Sequence, residues 1–595
     1  MIIMALLVAI FIFHAVSLSF TQDDAFISYR YVNNFLRGYG LVFNPSERVE
    51  GYTNFLFVMQ MIVAGLFGLD YIMLSKIIGI ASGVGILWLS YRWMSALIQG
   101  RRHYLWLFAV PVVLAANAAF SYWAISGLET LLFSALIFFG IYLAATKNPL
   151  FVPLLALATL VRPEGGLVFV VTLSYLFISR EYRMMNIVRF FIIYVLLTLP
   201  QFIFRLYYYG DLLPNPFYAK TGWSIEYFGS GIGYLWLFLR QYGFFGILIL
   251  IPLVSYKLLP RSIRLPVVIS LIYMLYIIMV GGDVLHGHRF FVPLMPLLYL
   301  SFFAGCMKLL EKIRWNSVKS ANISIVGIIL IAAVWVFFLP FERIRIIRDA
   351  EIALVSSMKY QSDLIRGIRS DRYSIACSTI GAFGYYSDAV IIDMLGLTDR
   401  TIAHDPRPVE GIKTTWKERN YNIPYLMSRN PDLILFSTGL KPSAPAEKAL
   451  FLSSKFRKGY YPVFHTDRQM WTIFKRKPGY SGADEYFPNP EFVDKYALGL
   501  YFYHEGKYDI ALEYATQSAR VGPPDFYLGA TLMADILLKK ENVERAVALW
   551  REAFDMSGGY AMIAGDQLGR YYTMIGDTAG AESYFKIVQT NNQLY

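Results

Sequence analysis

The sequence predicts a mainly α, polytopic membrane protein. A bundle of about eleven transmembrane helices precedes a small exterior α/β domain and C-terminal TPR-like helical repeats. Three observations carry that prediction. Apolar runs long enough to cross a bilayer dominate residues 1–340. Of 595 residues, 56% are hydrophobic and only 16% charged, against about a quarter charged in an average soluble domain. The last hundred residues repeat with a period of 35. A disordered chain, a coiled coil and an ordinary cytosolic enzyme are excluded.

The first span, residues 2–20, has no charge, no basic leader and no small-residue cleavage site, so it is expected to be a retained anchor. Further spans fall near 71–94, 104–118, 128–145, 149–161, 166–179, 187–206, 241–256, 265–280, 290–306 and 322–340, the run at 149–161 being short for a bilayer. Residues 54–68 are apolar but short, either a span or a helix on the membrane surface. Charge placement decides between these. With 54–68 interfacial and the N-terminus cytoplasmic, the cytoplasmic loops hold fourteen cations: Arg92, Arg101, Arg102, Lys147, Arg180, Arg183, Arg189, Lys257, Arg261, Arg264, Lys308, Lys312, Arg314 and Lys319. Only Glu181 and Glu311 oppose them, so these loops account for the whole net charge of +12. The charge is a topology signal and no nucleic-acid footprint. It sends residues 341–595 to the exterior or periplasmic side.

Residues 345–475 read as a small α/β domain, with β-rich runs at 373–378, 389–394, 432–436 and 470–474. Residues 476–490, rich in Pro, Gly and charge, read as a linker. In residues 491–595, Ala511, Ala546 and Ala581 are each 35 apart. Gly499, Ala534 and Gly569 precede them by twelve, and Phe502, Leu537 and Tyr572 follow those by three. Small residues let paired helices approach, and the large residue fills the gap between them. The expected role is a structural cap or a docking module for a protein partner. The two cysteines, Cys306 and Cys377, make neither a disulfide framework nor a metal cluster.

Polar groups are costly in a membrane and mark function. Five clusters fall on the predicted exterior side. The first, residues 21–54, holds Asp23, Asp24, Arg30, Asn44, Glu50, Tyr52, Thr53 and Asn54. The second is Ser126-Gly127-Leu128-Glu129, and the third is Arg162-Pro163-Glu164-Gly165. The fourth runs through Asn215, Tyr218 and Lys220. The fifth contains Asp283, His286, His288 and Arg289. Their convergence suggests one cavity at the outer membrane boundary. Adjacent Asp23 and Asp24 cannot point the same way. Either one is a general base for an acceptor hydroxyl, or the pair simply ends the first helix at water. Arg162 and Glu164 are either a paired turn beside a helix-breaking Pro163 or part of an anion site, since a guanidinium matches phosphate oxygens. Arg289, Lys220, His286 and His288 are available to the same charge. Tyr29, Tyr52, Trp123 and Tyr218 are candidate stacking faces for a sugar. The spacing D-x-x-H-x-H at 283–288 is a weak metal signature, and no metal ligands are assigned. No P-loop, G-x-G-x-x-G, G-x-S-x-G or H-E-x-x-H occurs. A non-enzymatic lipid or sugar transporter, or a scaffold, would use the same cavity without reaction. It would, however, place its charges nearer the midplane, in paired repeats.

The motifs DDAFISYRY, GLVFNPSERVEGYTNFL, SGLET, RPEG, YYGDLLPNPFYAK, GGDVLHGHRFFVPLMPLL and IDMLGLTD, in that order, resemble those of the GT-C superfamily of membrane glycosyltransferases. More specifically they resemble the terminal β-(1→2) arabinofuranosyltransferase (AftB-like) family over roughly residues 1–475. The resemblance implies a bacterial inner-membrane enzyme with a GT-C bundle at 1–340. Its donor would be a polyprenyl-phosphate sugar, decaprenylphosphoryl-arabinofuranose in that family, and its acceptor a glycan, lipid or protein. Transfer would be inverting, with Asp23 or Asp24 as catalytic base. No cofactor is required, and metal use stays open. The repeats at 491–595 lie outside the resemblance. Transfer of another sugar to lipid, glycan or pilin is the nearest alternative.

Overall fold

The computed structural model describes residues 1–98, 101–220, 225–312, 318–366, 373–412, 414, 418–465 and 471–593. Arg314 and Met470 lie outside the described residues, as do the side chains of Arg101, Arg102 and Lys319. The chain divides into two units. One comprises Met1–Pro214 with Thr221–Val355, and the other Asn215–Lys220 with Ser356–Tyr595.

The first unit is helical. Among the described residues five helices are long and apolar enough to cross a membrane: Tyr71–Leu97, Met184–Tyr209, Arg261–Met279, Arg289–Leu310 and Ser320–Arg366. Two bent pairs raise this to seven: Tyr104–Ala116 with Ala118–Ala124, bent by 64°, and Ile225–Gln241 with Phe244–Val254, bent by 101°. Eleven full spans were expected. The difference lies in Ile2–Ser17, Thr130–Ala145, Phe151–Val161 and Glu164–Ile178, apolar helices of 10–17 residues. At 1.5 Å per residue these are shorter than a hydrocarbon core of about 30 Å. Polar turns cut them. Ser126–Glu129 precedes Thr130–Ala145, Lys147 in a left-handed conformation separates that helix from Phe151–Val161, and Arg162 in an extended conformation ends Phe151–Val161 before Pro163. The span expected at 241–256 is broken because Phe244, Phe245 and Gly246 all have positive φ. Its partner helix, Ile225–Gln241, was not anticipated. Phe55–Leu66 is a twelve-residue helix packed on Asp23–Leu36.

Helices meet at small residues, as close packing in a bilayer requires. A Cβ on Gly79 would lie 2.2 Å from the Ala124 carbonyl oxygen, and one on Gly231 2.1 Å from that of Ile278. Backbone cannot yield as a flexible side chain can. Gly231→Ala is therefore expected to destabilise the contact between Ile225–Gln241 and Arg261–Met279 by about 1–3 kcal/mol. A lowered thermal midpoint of the detergent-purified chain checks this.

The second unit contains a five-stranded sheet in the order β2-β1-β3-β5-β4. The strands are β1 Ser374–Cys377, β2 Val390–Asp393, β3 Leu433–Leu435, β4 Tyr460–His465 and β5 Trp471–Arg476. β1 pairs in parallel with β2 and β3, while β5 runs antiparallel to β3 and β4. Four strands fall on the β-rich runs. The edge strand β4 was not read from sequence because Pro462 interrupts its pattern, and an edge is where a strand tolerates proline. Residues 476–490 have the composition of a linker, yet they are packed: Phe487 N donates to Leu452 O, and Ser453 bridges Tyr486.

Six helices follow: Glu491–His504, Tyr508–Val521, Tyr527–Lys539, Val543–Met556, Met562–Met574 and Thr578–Asn591, each packed on the next. Ala511, Ala534 and Ala546 are fully buried. A Cβ on Gly569 would meet the Phe585 ring at 2.6 Å. Phe502 stacks on Tyr514 and Tyr572 on Tyr584. Phe502 and Tyr572 thus each pack on the next helix. The hydrophobic core is continuous from the sheet into these helices: Phe451 contacts Tyr496 and Phe526 at ring distances of 5.7 and 5.8 Å.

Candidate active site

The Asp23–Leu36 helix starts a few residues after the first helix ends, which places Asp23 and Asp24 in its first turn, at the positive end of the helix dipole. The two carboxylates differ. Asp23 is buried, and its backbone N–H donates to Glu351 Oε1 at 2.7 Å. Asp24 is half-buried, its carboxylate makes no hydrogen bond or ion pair among the described residues, and its charge acts on Arg289.

Three of the five clusters join in one buried network. Ser28 and Asn54 exchange hydrogen bonds at 3.2 Å, and Asn54 Nδ2 donates to Glu129 Oε2 at 2.9 Å. Arg162 Nη1 donates to Glu129 and Nη2 to Glu164, both at 2.8 Å. The break before Pro163 makes this possible: extended backbone at Arg162 takes its side chain off the helix axis. Both terminal nitrogens of Arg162 are thus bound to carboxylates. The paired-turn reading of Arg162 and Glu164 is the one the geometry supports, because a phosphate would have to displace Glu129 or Glu164 first.

The fifth cluster meets the same network through Phe290, whose ring centroid lies 5.3 Å from the Arg162 guanidinium and 5.6 Å from that of Arg289. Asp283 binds Arg289 Nε and Nη2 at 2.8 and 2.9 Å. Arg289 Nη1 makes no hydrogen bond among the described residues, so this arginine keeps a donor for an anion. His288 is buried, with Nε2 donating to Gln241 Oε1 at 2.7 Å, and its φ of 57° is strained for a residue with a Cβ, at about 1–3 kcal/mol. His286 is exposed. Asp283, His286 and His288 therefore do not converge as a metal set, and among the described residues no three His, Cys, Asp or Glu side chains do.

The remaining first-cluster residues order the loop that follows the Asp23–Leu36 helix. Arg30 donates to Phe43 O at 2.6 Å and to Asn44 Oδ1 at 3.1 Å. Glu50 pairs with Arg205 at 2.5 Å; burial pushes its carboxyl up, and Arg205 pulls it partly back. The Tyr52 and Tyr209 hydroxyls meet at 3.1 Å. Thr53 is half-buried beside them in sequence.

Asn215, Tyr218 and Lys220 belong to the second unit. Asn215 Nδ2 donates to the carbonyls of Gly396, Leu397 and Asp399 within IDMLGLTD, and the Tyr218 and His404 rings meet at a tilt with centroids 4.0 Å apart. Asn215 thereby braces that loop. Asp393, at the end of β2, shapes the same loop by accepting from Leu395 N, Thr398 N and Thr398 Oγ1. Burial pushes its carboxyl up to about 6, against the pull of these donors. The unfolded carboxyl titrates near about 4, so the folded chain holds the proton more tightly. The stability this supplies is full below pH of about 4 and is lost as pH rises through about 6. Amide exchange across 390–402 is expected to accelerate over that window beyond its intrinsic trend, and Asp393→Asn is expected to abolish the excess.

Residues 355–491 match a family model described as a domain of unknown function (DUF8728). The terminal β-(1→2)-arabinofuranosyltransferase of Corynebacterium glutamicum is 28% identical over 377 residues, covering 53% of this chain and 51% of that protein. The protein of the same name from Mycobacterium tuberculosis is 27% identical over 325 residues, covering 46% and 51%. The chain is similar to the terminal β-(1→2)-arabinofuranosyltransferases. The likeness carried by the motifs is thereby borne out. The chain spans about half the length of the curated relatives it matches. Among solved structures, ArnT from Cupriavidus metallidurans in the apo state aligns with a TM-score of 0.49 at 12% identity, covering 79% of this chain and 96% of that one. The same protein bound to undecaprenyl phosphate aligns with a TM-score of 0.45 at 11% identity, covering 65% and 84%.

Several participants were absent from the sequence reading. Glu351 sits 328 residues from the backbone it accepts from, on a 49-residue helix with no motif around it. Arg205 and Gln241 lie in apolar helices, where a lone polar residue that pairs inside a bundle is the only available signal.

Proposed function

We propose that the chain is a membrane glycosyltransferase that moves a sugar, arabinofuranose in the favoured reading, from a polyprenyl-phosphate donor to a glycan or other glycoconjugate on the periplasmic face. The observation that carries this is a half-buried Asp24 carboxylate whose charge acts on Arg289, neither the carboxylate nor Arg289 Nη1 making a hydrogen bond among the described residues. The name borne by both relatives supports the sugar. The donor lipid lies against the apolar helices, and Arg289 holds its phosphate. Asp24 takes the proton from the acceptor hydroxyl as that oxygen attacks the anomeric carbon. The bond from that carbon to the phosphate oxygen breaks, and polyprenyl phosphate leaves with its charge stabilised by Arg289. Attack opposite the leaving group inverts the anomeric centre. Arg162 with Glu129 and Glu164 forms the rigid wall behind Phe290. In this reading the N-terminus is cytoplasmic, residues 345–475 form a periplasmic domain, and the TPR-like repeats at 491–595 are available to a protein partner.

The test supplies purified full-length chain with labelled decaprenylphosphoryl-arabinofuranose and an arabinan oligosaccharide. The expected result is release of decaprenyl phosphate matched by labelled oligosaccharide. Turnover of a hexosyl donor instead moves the sugar and keeps the mechanism. Movement of the lipid across vesicles without any release of polyprenyl phosphate overturns the enzyme reading in favour of a transporter.

A further inference from the structure

The geometry points to His288 as a positioning residue that sets the direction of Arg289, and so aims its open Nη1 at the donor phosphate; this rests on the reading above. A histidine at a membrane edge is available for direct contact with an anion, but this one is enclosed. It is 3% exposed, with the rings of Tyr234, Tyr242 and Phe238 at 5.4, 5.5 and 5.8 Å. Its Nε2 proton is committed to Gln241, and Nδ1 is buried with no partner among the described residues. The ring therefore sits in its neutral form and is out of reach of a ligand.

What it does is hold the backbone. His288 is in the left-handed region, directly after Gly287 at φ +83°, and it caps the helical turn Arg289–Leu294 by accepting from Phe291 N at 2.9 Å. The preceding residue is pinned too, since Gly287 O accepts from Trp123 Nε1 at 2.7 Å. The two residues before Arg289 are thus tied to two different helices, Ala118–Ala124 through Trp123 and Ile225–Gln241 through Gln241. Asp283 then clamps two guanidinium nitrogens from the other side. Glycine or asparagine would accept the backbone angle without filling the aromatic box, and phenylalanine would fill the box without the hydrogen bond. Histidine supplies both the volume and the donor.

The test compares His288→Phe, Gln241→Leu, Arg289→Gln and the His288→Phe/Arg289→Gln pair in the full-length chain. Binding of undecaprenyl phosphate is read by native mass spectrometry, and donor KM and kcat are read in the transfer assay. Misplacement of a catalytic group by about 1 Å costs on the order of 10²-fold. His288→Phe and Gln241→Leu are therefore each expected to weaken lipid-phosphate binding and to lower kcat/KM by up to that factor. The double variant is expected to be no worse than Arg289→Gln alone, because the two residues act as one unit. A merely structural role would lower the thermal midpoint and add fully to Arg289→Gln, and that additivity overturns the proposal. If Arg289→Gln itself binds the lipid phosphate normally, the donor role of Arg289 fails. Positioning is then judged by amide exchange across 283–291, and unchanged exchange in His288→Phe overturns it.

Discussion

Asp24→Asn is expected to lower transfer by about 10²–10⁴-fold while leaving the fold intact, the range a positioned general base contributes. The change is nearly isosteric and keeps a hydrogen-bonding side chain at the boundary, but an amide cannot take a proton. The site makes this a clean removal, because the Asp24 carboxylate makes no hydrogen bond or ion pair among the described residues, so no structural partner is orphaned. Asp23→Asn is the internal control. Asp23 is buried in the first turn of its helix, and its backbone N–H is held by Glu351. Its loss is expected to fall mainly on stability through the helix dipole, at about 0.3–1 kcal/mol. Initial rates with labelled donor, beside thermal midpoints of the same preparations, separate the two. Full activity in both variants would sink the assignment of the base, and a reversed order would move it to Asp23.

Arg162→Met is expected to destabilise the first unit by about 3–5 kcal/mol, because removing one member of a buried ion network strands the others. Two carboxylates, Glu129 and Glu164, each rely on one Arg162 nitrogen at 2.8 Å, and all three side chains are at most 10% exposed. Glu164 Oε2 already has no partner among the described residues, so no alternative donor is at hand. Adding Glu129→Gln and Glu164→Gln to Arg162→Met removes the stranded charges and is expected to recover most of the loss. Thermal unfolding of detergent-purified protein measures both. An unchanged midpoint in Arg162→Met would show that the network is not what holds Thr130–Ala145 to Glu164–Ile178.

Part of this site is written in the sequence and part is not, for physical reasons. Asp23 and Asp24 were legible because their position after an uncharged span is a local fact. Glu129, Arg162 and Arg289 were legible as costly polar groups at helix ends, but their roles were not. Arg162 looked as suited to phosphate as Arg289 does. Only the carboxylates of Glu129, 33 residues away, and Glu164 reveal that its terminal nitrogens are occupied. His288 looked like a ligand contact until the rings around it were placed. Asn215, Tyr218 and Lys220 share a polar motif with the membrane half, yet they group with the second unit, where Asn215 braces a loop some 180 residues away.

By itself the sequence determined the membrane class, the cytoplasmic bias of its cations as an expectation, four of the five strands, and the period of the helical pairs in the tail. All of these are written in local patterns of hydropathy, charge and residue size, which short-range geometry reads directly. Tertiary structure decided how many apolar runs are long enough to span, which of two adjacent carboxylates is buried, and which arginine has a terminal nitrogen without a hydrogen bond among the described residues. Those outcomes depend on partners that packing brings together from as far as 328 residues apart, and no periodicity in the chain encodes which side chain will arrive.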